Sequence, residues 1–201
     1  MSDLKIHNLF PVPIFHYKLK NYEETNQELL TYIYELQKKD KLGNPHSNKG
    51  GWHSQNFDIV NEGPPINFIN KCKDFLKDVI SNNMGWKYVP NKQRIVAMWA
   101  IINKKNSFNV SHYHQNCYLS AAYYIRKPEN SGDITFADPK QVRTYRSPRI
   151  EKYTEYTRES VTIKPEEGDL IVFPSYLYHE VGVNLSNEDR VIISFNIDID
   201  Y

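Results

Sequence analysis

The sequence predicts a mainly β protein behind a helical N-terminal layer, its strands antiparallel and closed as a sandwich, jelly roll or barrel. Two observations carry this. From about Arg94 onward, short β-rich runs (RIVAMWAII, CYLSAAYYI, GDITFAD, SVTIKP, DLIVFPS, HEVGV and RVIISFNIDI) follow one another with Gly, Pro, Asn and Asp between them and no intervening helix. Strands that recur without crossover helices pair antiparallel rather than as βαβ units. The aromatic content agrees, because fifteen tyrosines and three tryptophans suit sheet faces and pocket walls better than a helical bundle. At 201 residues the chain is long enough for one well-buried domain and short for two. One domain is expected over 1–201, with 1–90 as a helical and loop layer and 91–201 as the β core.

The opening LFPVPIFHYKL reads as an edge strand, since Pro11 and Pro13 cannot donate to a central ladder. A helix follows, with Asn21 and Glu24 spaced as a capping box and Leu29 or Leu30, Ile33 and Leu36 forming its apolar face down to about Asp40. A second helix is expected to start at Pro64 or Pro65, with Ile66, Ile69, Leu76, Val79 and Ile80 on one side, ending near Asn83 and Gly85. Between them, GNPHSNKGGWHSQN (43–56) has loop chemistry throughout. Residues 139–159 are rich in charge and tyrosine but poor in aliphatics, which fits a long hairpin or lid over a site, or a solvated loop.

A formal charge of +1 provides no broad cationic field for nucleic acid or an anionic membrane. The N-terminus lacks a signal-peptide pattern, and no stretch approaches the ~18 apolar residues of a membrane span. Cys72 and Cys117 are too few for a disulfide framework. A cytoplasmic protein with a small-molecule or peptide site is the expectation.

Chemistry is suggested first by SHYHQNC. In a strand, residues i and i+2 share a face, so His112 and His114 can offer two imidazoles to one cation. A third ligand is needed, and His179 in YLYHEV, at the head of a later strand, is the candidate. Three imidazoles suit Fe, Zn, Cu or Ni without choosing among them. In RVIISFNIDI one face is apolar, whereas Arg190, Ile192, Ser194 and Asn196 form a mostly polar one, either solvated or lining a cavity. An arginine fork on a barrel wall suits bidentate capture of a carboxylate.

Taken together, HYH, SAAYYI, SGDITFADP, GDLIVFPSYLYHEV and RVIISFN, with NLFPVPIF and SNKGGWHS upstream, resemble the non-haem iron, 2-oxoglutarate-dependent oxygenases. The branch they most resemble is a prolyl-hydroxylase-like one from marine bacteria and their viruses. The resemblance implies a double-stranded β-helix, or jelly roll, with two α-helices outside it. It implies Fe(II) and 2-oxoglutarate as cofactor and cosubstrate, O2 as co-reactant, and hydroxylation of a C–H bond of a peptide (prolyl) or small-molecule substrate with release of succinate and CO2. By the same resemblance His112, His114 and His179 are the metal ligands, with His114 where most of the superfamily has a carboxylate. Tyr124, Arg190 and Ser194 hold 2-oxoglutarate, and Thr135 lines the same pocket.

The departure from HxD leaves alternatives open. Asp133 or Asp138 can supply the carboxylate if His114 turns away. A cupin-like metal-binding module without catalysis, or a zinc-dependent isomerase or hydrolase, would use the same histidines. His53 and His46, in the glycine-rich loop, read as packing over the pocket mouth or as exposed, and Trp52 and Trp99 as core or pocket wall. Cys117 lacks the partners of a nucleophile. Arg143, Arg146, Arg149 and Lys152, interspersed with glutamates, read as a solvated face.

Overall fold

The computed structural model describes residues 4–44, 46–89, 93–140 and 148–199. Two antiparallel sheets face each other. Strand β1 (Phe15–Lys18) precedes helix α1 (Tyr22–Lys39), and two-residue strands β2 (Asn48–Lys49) and β3 (Trp52–His53) precede helix α2 (Pro64–Asp78), which runs into a π-helical turn, Val79–Asn83. Then come β4 (Gln93–Asn103), β5 (Phe108–His112), β6 (Leu119–Arg126), β7 (Ile134–Ala137), β8 (Ser160–Ile163), β9 (Asp169–Pro174), β10 (His179–Val181) and β11 (Arg190–Ile199). The larger sheet has the order β1-β9-β6-β11-β4-β3 and the smaller β2-β5-β10-β7-β8. This is a jelly roll with two helices outside it.

Strand alternation divides the core in two. On β11, Val191, Ile193, Phe195 and Ile197 face the helices, meeting Leu29 and Ile33 of α1 and Phe68, Cys72 and Leu76 of α2. Phe68 packs 4.5 Å from Tyr123 between ring centres. Ile192, on the opposite face, joins Tyr124, Ile134, Phe136, Ile171 and Phe173 between the sheets. The paired tyrosines of β6 therefore serve opposite layers. Tyr123 points to the helices and donates to Asn26 Oδ1 at 2.6 Å, whereas Tyr124 points into the barrel.

Several expectations are refined. The edge position of β1 holds, as it pairs with β9 alone. Asn21 caps α1 with a left-handed backbone (φ 50°) and no side-chain bond, so no capping box forms. The buried face of α2 centres on Phe68 and Cys72 rather than Ile66 and Ile69. The 43–56 loop contains β2 and β3, which attach to different sheets, β2 to β5 and β3 to β4. It is therefore a strap between the two sheets. β5 was not among the expected strands, because FNVSH has only two apolar residues to mark it. Of 139–159, residues 141–147, including Arg143 and Arg146, lie outside the described residues; 148–159 are mostly exposed, Arg149 and Lys152 among them. Among the described residues, no helix is long and apolar enough to cross a membrane.

Candidate metal and cosubstrate site

The register of the smaller sheet assembles the histidines. β10 lies antiparallel to β5 with His179 directly opposite His112, and the chain beyond β5 is fixed by a bond from His114 N to Ser175 O at 2.9 Å. The candidate ligand nitrogens of His112, His114 and His179 lie within 4.8 Å of one another. His112 Nδ1 sits 2.7 Å from Val110 O and His179 Nδ1 2.9 Å from Leu177 O. A carbonyl oxygen only accepts, so both Nδ1 atoms carry the proton and both Nε2 lone pairs remain free for a metal. The ring of His114 stacks on His179 (5.3 Å, 8°) and on Trp99 (5.6 Å, 25°). Burial lowers the pKa of all three, that of His114 to about 4 and that of His179 to about 3, with His112 adding charge repulsion in both cases. They are neutral imidazoles near pH 7, as metal ligation requires.

No carboxylate joins the cluster among the described residues. Asp133 pairs with Lys127 Nζ at 3.0 Å, and Asp138 Oδ1 accepts from Lys140 N at 2.9 Å beside a separate hollow. Both alternatives to His114 are thereby removed from the site.

A cavity of about 630 Å³ leads away from the histidines into the barrel. Tyr124, Ile134, Phe173 and Ile192 line it. Near Tyr124 lies Arg190, 1% exposed. Its Nη1 donates to the carbonyls of Ser131, Gly132 (3.4 Å) and Gly182 (3.0 Å). Gly132 is obligatory here, since its φ is +86° and a Cβ would come within 2.7 Å of Nη1. Nε and Nη2, which share one edge of the guanidinium, have no partner, and neither has the buried Tyr124 hydroxyl. Desolvation lowers the Arg190 pKa to about 10 and raises that of Tyr124. Buried polar groups are ordinarily bonded. A guanidinium edge and a hydroxyl left open together fit a carboxylate.

The structure therefore brings Arg190 and Tyr124 together, sets Ser194 apart from Arg190, and turns Thr135 away from the pocket. Ser194 lines the cavity beside Trp99 and Ala122, about 13 Å along the strand from Arg190 at ~3.3 Å per residue. Thr135 is on the outer face: Ile134 and Phe136 point inward, so the hydroxyl between them points out, 2.8 Å from that of Thr162. The alternation in GDITFAD already contained this, and Thr135 is withdrawn from the pocket.

The strap contributes residues whose role the sequence left undecided. His53 is buried, its Nδ1 2.7 Å from Ser54 O, stacked on Trp99 at 5.6 Å and 4.9 Å from His46. Both histidines line the cavity. Trp52 is core and donates to Asp40 O. Asn196 and the strap amides Gln55 and Asn56 also line the mouth. The amide of Asn196 was visible in the polar face of β11, whereas only the strap's return across the barrel reveals the other two.

The fold and the histidine cluster define a jelly-roll protein whose three clustered imidazoles could hold a metal ion. Residues 97–196, about half the chain and nearly all of the β core, match the family described as "Putative 2OG-Fe(II) oxygenase", and the chain belongs to this family. It is thus an Fe(II)- and 2-oxoglutarate-dependent oxygenase. No curated sequence matches it significantly. Among solved structures it is similar to a prolyl-4-hydroxylase from Pseudomonas putida (TM-score 0.67, 13% identity, 94% of each chain). It is also similar to a viral collagen prolyl hydroxylase from Paramecium Bursaria Chlorella virus-1 in complex with 2-oxoglutarate (0.60, 13%, 92% of this chain and 94% of that one). HygX from Streptomyces hygroscopicus, with nickel and 2-oxoglutarate bound, gives 0.63 at 10% identity over 94% of this chain and 84% of that one.

Proposed function

We propose that residues 1–201 form one oxygenase domain in which His112, His114 and His179 hold Fe(II) while Arg190 and Tyr124 hold the distal carboxylate of 2-oxoglutarate. The observation that carries this is the pair of buried, unpartnered hydrogen-bonding groups of Arg190 and Tyr124, of which Tyr124 lines the cavity that also contains the three histidines. When bound, Fe(II) and 2-oxoglutarate with O2 supply the oxidising chemistry that hydroxylates a C–H bond, leaving succinate and CO2. The chain's own residues bind and orient. Val110 O and Leu177 O fix the tautomers and directions of His112 and His179. Trp99 and His179 hold the His114 ring between them. The carbonyls of Ser131, Gly132 and Gly182 immobilise one end of Arg190, so its remaining edge is presented without further ordering.

The Arg190–Tyr124 arrangement disfavours a cupin-like metal module or a zinc hydrolase, because a buried guanidinium edge has no purpose in either. Ser194 is assigned to the middle of the cavity rather than to the cosubstrate's far end. A peptide or a small molecule is the substrate class, prolyl peptides being one case; the origin in marine bacteria or their viruses rests on the sequence resemblance, and a cytoplasmic setting on the cysteine usage and the N-terminal pattern. Loading purified protein anaerobically with Fe(II), adding 2-oxoglutarate and then admitting oxygen tests the reading. A visible charge-transfer band on cosubstrate addition and succinate after oxygen are expected. Full metal occupancy with neither would defeat it.

A further inference from the structure

Resting on that reading, we infer that Asn196 is a substrate-binding residue and that the primary substrate is an uncharged, amide-bearing group held without a salt bridge. Two observations lead there. First, among the described residues the cavity is lined by no Asp, Glu, Lys or Arg side chain, although it carries six side-chain amides, three serines and the strap histidines. A charged substrate would enter without an ionic partner, at the full desolvation penalty of its charge. Second, the polar atoms at the mouth are oriented. Ser120 Oγ donates to Asn196 Oδ1 at 3.0 Å, and Cys117 Sγ lies 4.0 Å behind Ser120 Oγ. With its oxygen engaged, the Asn196 amide presents Nδ2 as a donor. Ser120 is therefore a positioning residue.

On the same sheet, one strand beyond β4, His53 offers the complementary group. Its Nδ1 proton is held by Ser54 O, which leaves Nε2 as an acceptor. Trp99 lies on the strand between theirs, stacked on His53 and paired across the sheet with Ser194. A donor and an acceptor on either side of an aromatic plane match a flat group that carries C=O and N–H together. An amide has this pattern. A carboxylate lacks the N–H, and an ammonium lacks the acceptor.

The test uses protein loaded with Zn(II) and 2-oxoglutarate, in which no turnover intervenes. Four probes share one side chain: N-acetyl-alanine N-methylamide, N-acetyl-alanine, alanine N-methylamide and alanine. Binding is read by ligand-detected NMR titration. The doubly capped amide is expected to bind at least about tenfold tighter than each charged probe, the usual consequence of one unsatisfied buried group. Asn196→Asp should abolish that preference and favour alanine N-methylamide, Asn196→Ala should weaken the capped amide about fivefold without reversing the order, and Ser120→Ala should fall between wild type and Asn196→Ala. Circular dichroism and 2-oxoglutarate binding confirm that each variant is folded. A capped tetra-alanine peptide separates the sources: tighter binding than the single residue indicates a polypeptide substrate, equal binding a small amide. Equal or tighter binding of a charged probe, an unchanged preference in Asn196→Asp, or no binding of either capped compound overturns the assignment. Loss of 2-oxoglutarate binding by the wild-type protein itself would instead refute the cosubstrate reading.

Discussion

Replacing Arg190 with Met separates the two things this side chain does. In the ligand-free protein it is a buried cation with one nitrogen bonded to carbonyls and two nitrogens open. Removing it relieves the desolvation of a charge but strands the carbonyls of Ser131 and Gly182, at ~1–3 kcal/mol for each group left unsatisfied. A methionine that fills the space offsets part of this, because well-packed apolar replacements of buried charges are often neutral or stabilising. Stability without ligand should therefore fall by no more than a few kcal/mol. Cosubstrate binding has no such compensation. Truncating one partner of a buried, hydrogen-bonded charge pair costs ~2–5 kcal/mol, which is roughly 30-fold to several-thousand-fold in Kd at 1.4 kcal/mol per decade.

Thermal denaturation of the Zn(II)-loaded proteins with increasing 2-oxoglutarate reads both effects at once. Wild type should gain about 2.7 kcal/mol at 100 times its Kd, while Arg190→Met should show almost no shift at the same concentration. Arg190→Lys should fall between them, keeping charge without the planar fork. If Arg190→Met binds 2-oxoglutarate as tightly as wild type, Arg190 is only a clamp on the loops at Gly132 and Gly182, and the carboxylate assignment is wrong.

Three further outcomes follow from the same geometry. His179→Ala should abolish metal binding measured by equilibrium titration, whereas His114→Asp, which restores a carboxylate at the position, should retain it and His114→Ala should weaken it; wild-type affinity in His114→Ala would argue that His114 is no ligand. The metal-free protein should lose stability on acidification. His53, His114 and His179 have folded pKa values near 4, 4 and 3, below the unfolded value of about 6.5. The unfolded chain therefore binds more protons between those limits, and stability falls as pH drops from about 6.5 towards 4, by up to ~1.4 kcal/mol per histidine per pH unit. Urea melts at pH 7 and 5.5 measure it, and a flat profile would contradict the buried, neutral imidazoles. Finally, Gly51→Ala should destabilise the strap by ~1–3 kcal/mol, since a Cβ there would overlap Asn103 Oδ1 and lie 2.8 Å from the Ile102 carbonyl; an unchanged melting temperature would mean that the strap is loosely attached.

The order of elements was legible because alternation and punctuation are local signals, and so was the candidate triad, because His112, His114 and His179 stand at strand ends with nothing else to explain them. What the sequence could not carry is register. His179 meets His112 only because β10 and β5 align residue for residue, and Ser194 parts from Arg190 because four residues of extended chain exceed the reach of a side chain. The strap was opaque for a related reason: two-residue strands are too short for periodicity to show, and their two different sheets are known only once the barrel closes. The error at Thr135 is of another kind. There the alternation itself is informative: Ile134 and Phe136 are the inward pair, and the hydroxyl between them meets Thr162 outside.

The three-histidine set also bears on what the cavity can accept. A ferrous ion held by neutral imidazoles keeps its two positive charges, where a carboxylate ligand would cancel one, and Arg190 adds a third. Dianionic 2-oxoglutarate brings the sum to +1. That residual charge disfavours a cationic substrate through the Coulomb term, which is strong at the low effective dielectric of a buried site. An anionic one would be drawn toward the metal and compete with the cosubstrate, because no basic side chain at the described cavity wall offers it a separate place. A neutral substrate escapes both problems. It needs only oriented dipoles, and the bond from Ser120 to Asn196 and the Nδ1 contact of His53 with Ser54 O are devices that orient dipoles. With the proposed ligand set, a histidine in place of a carboxylate at 114 and a cavity whose described walls carry no charged side chain favour the same outcome, a neutral substrate beside an anionic cosubstrate.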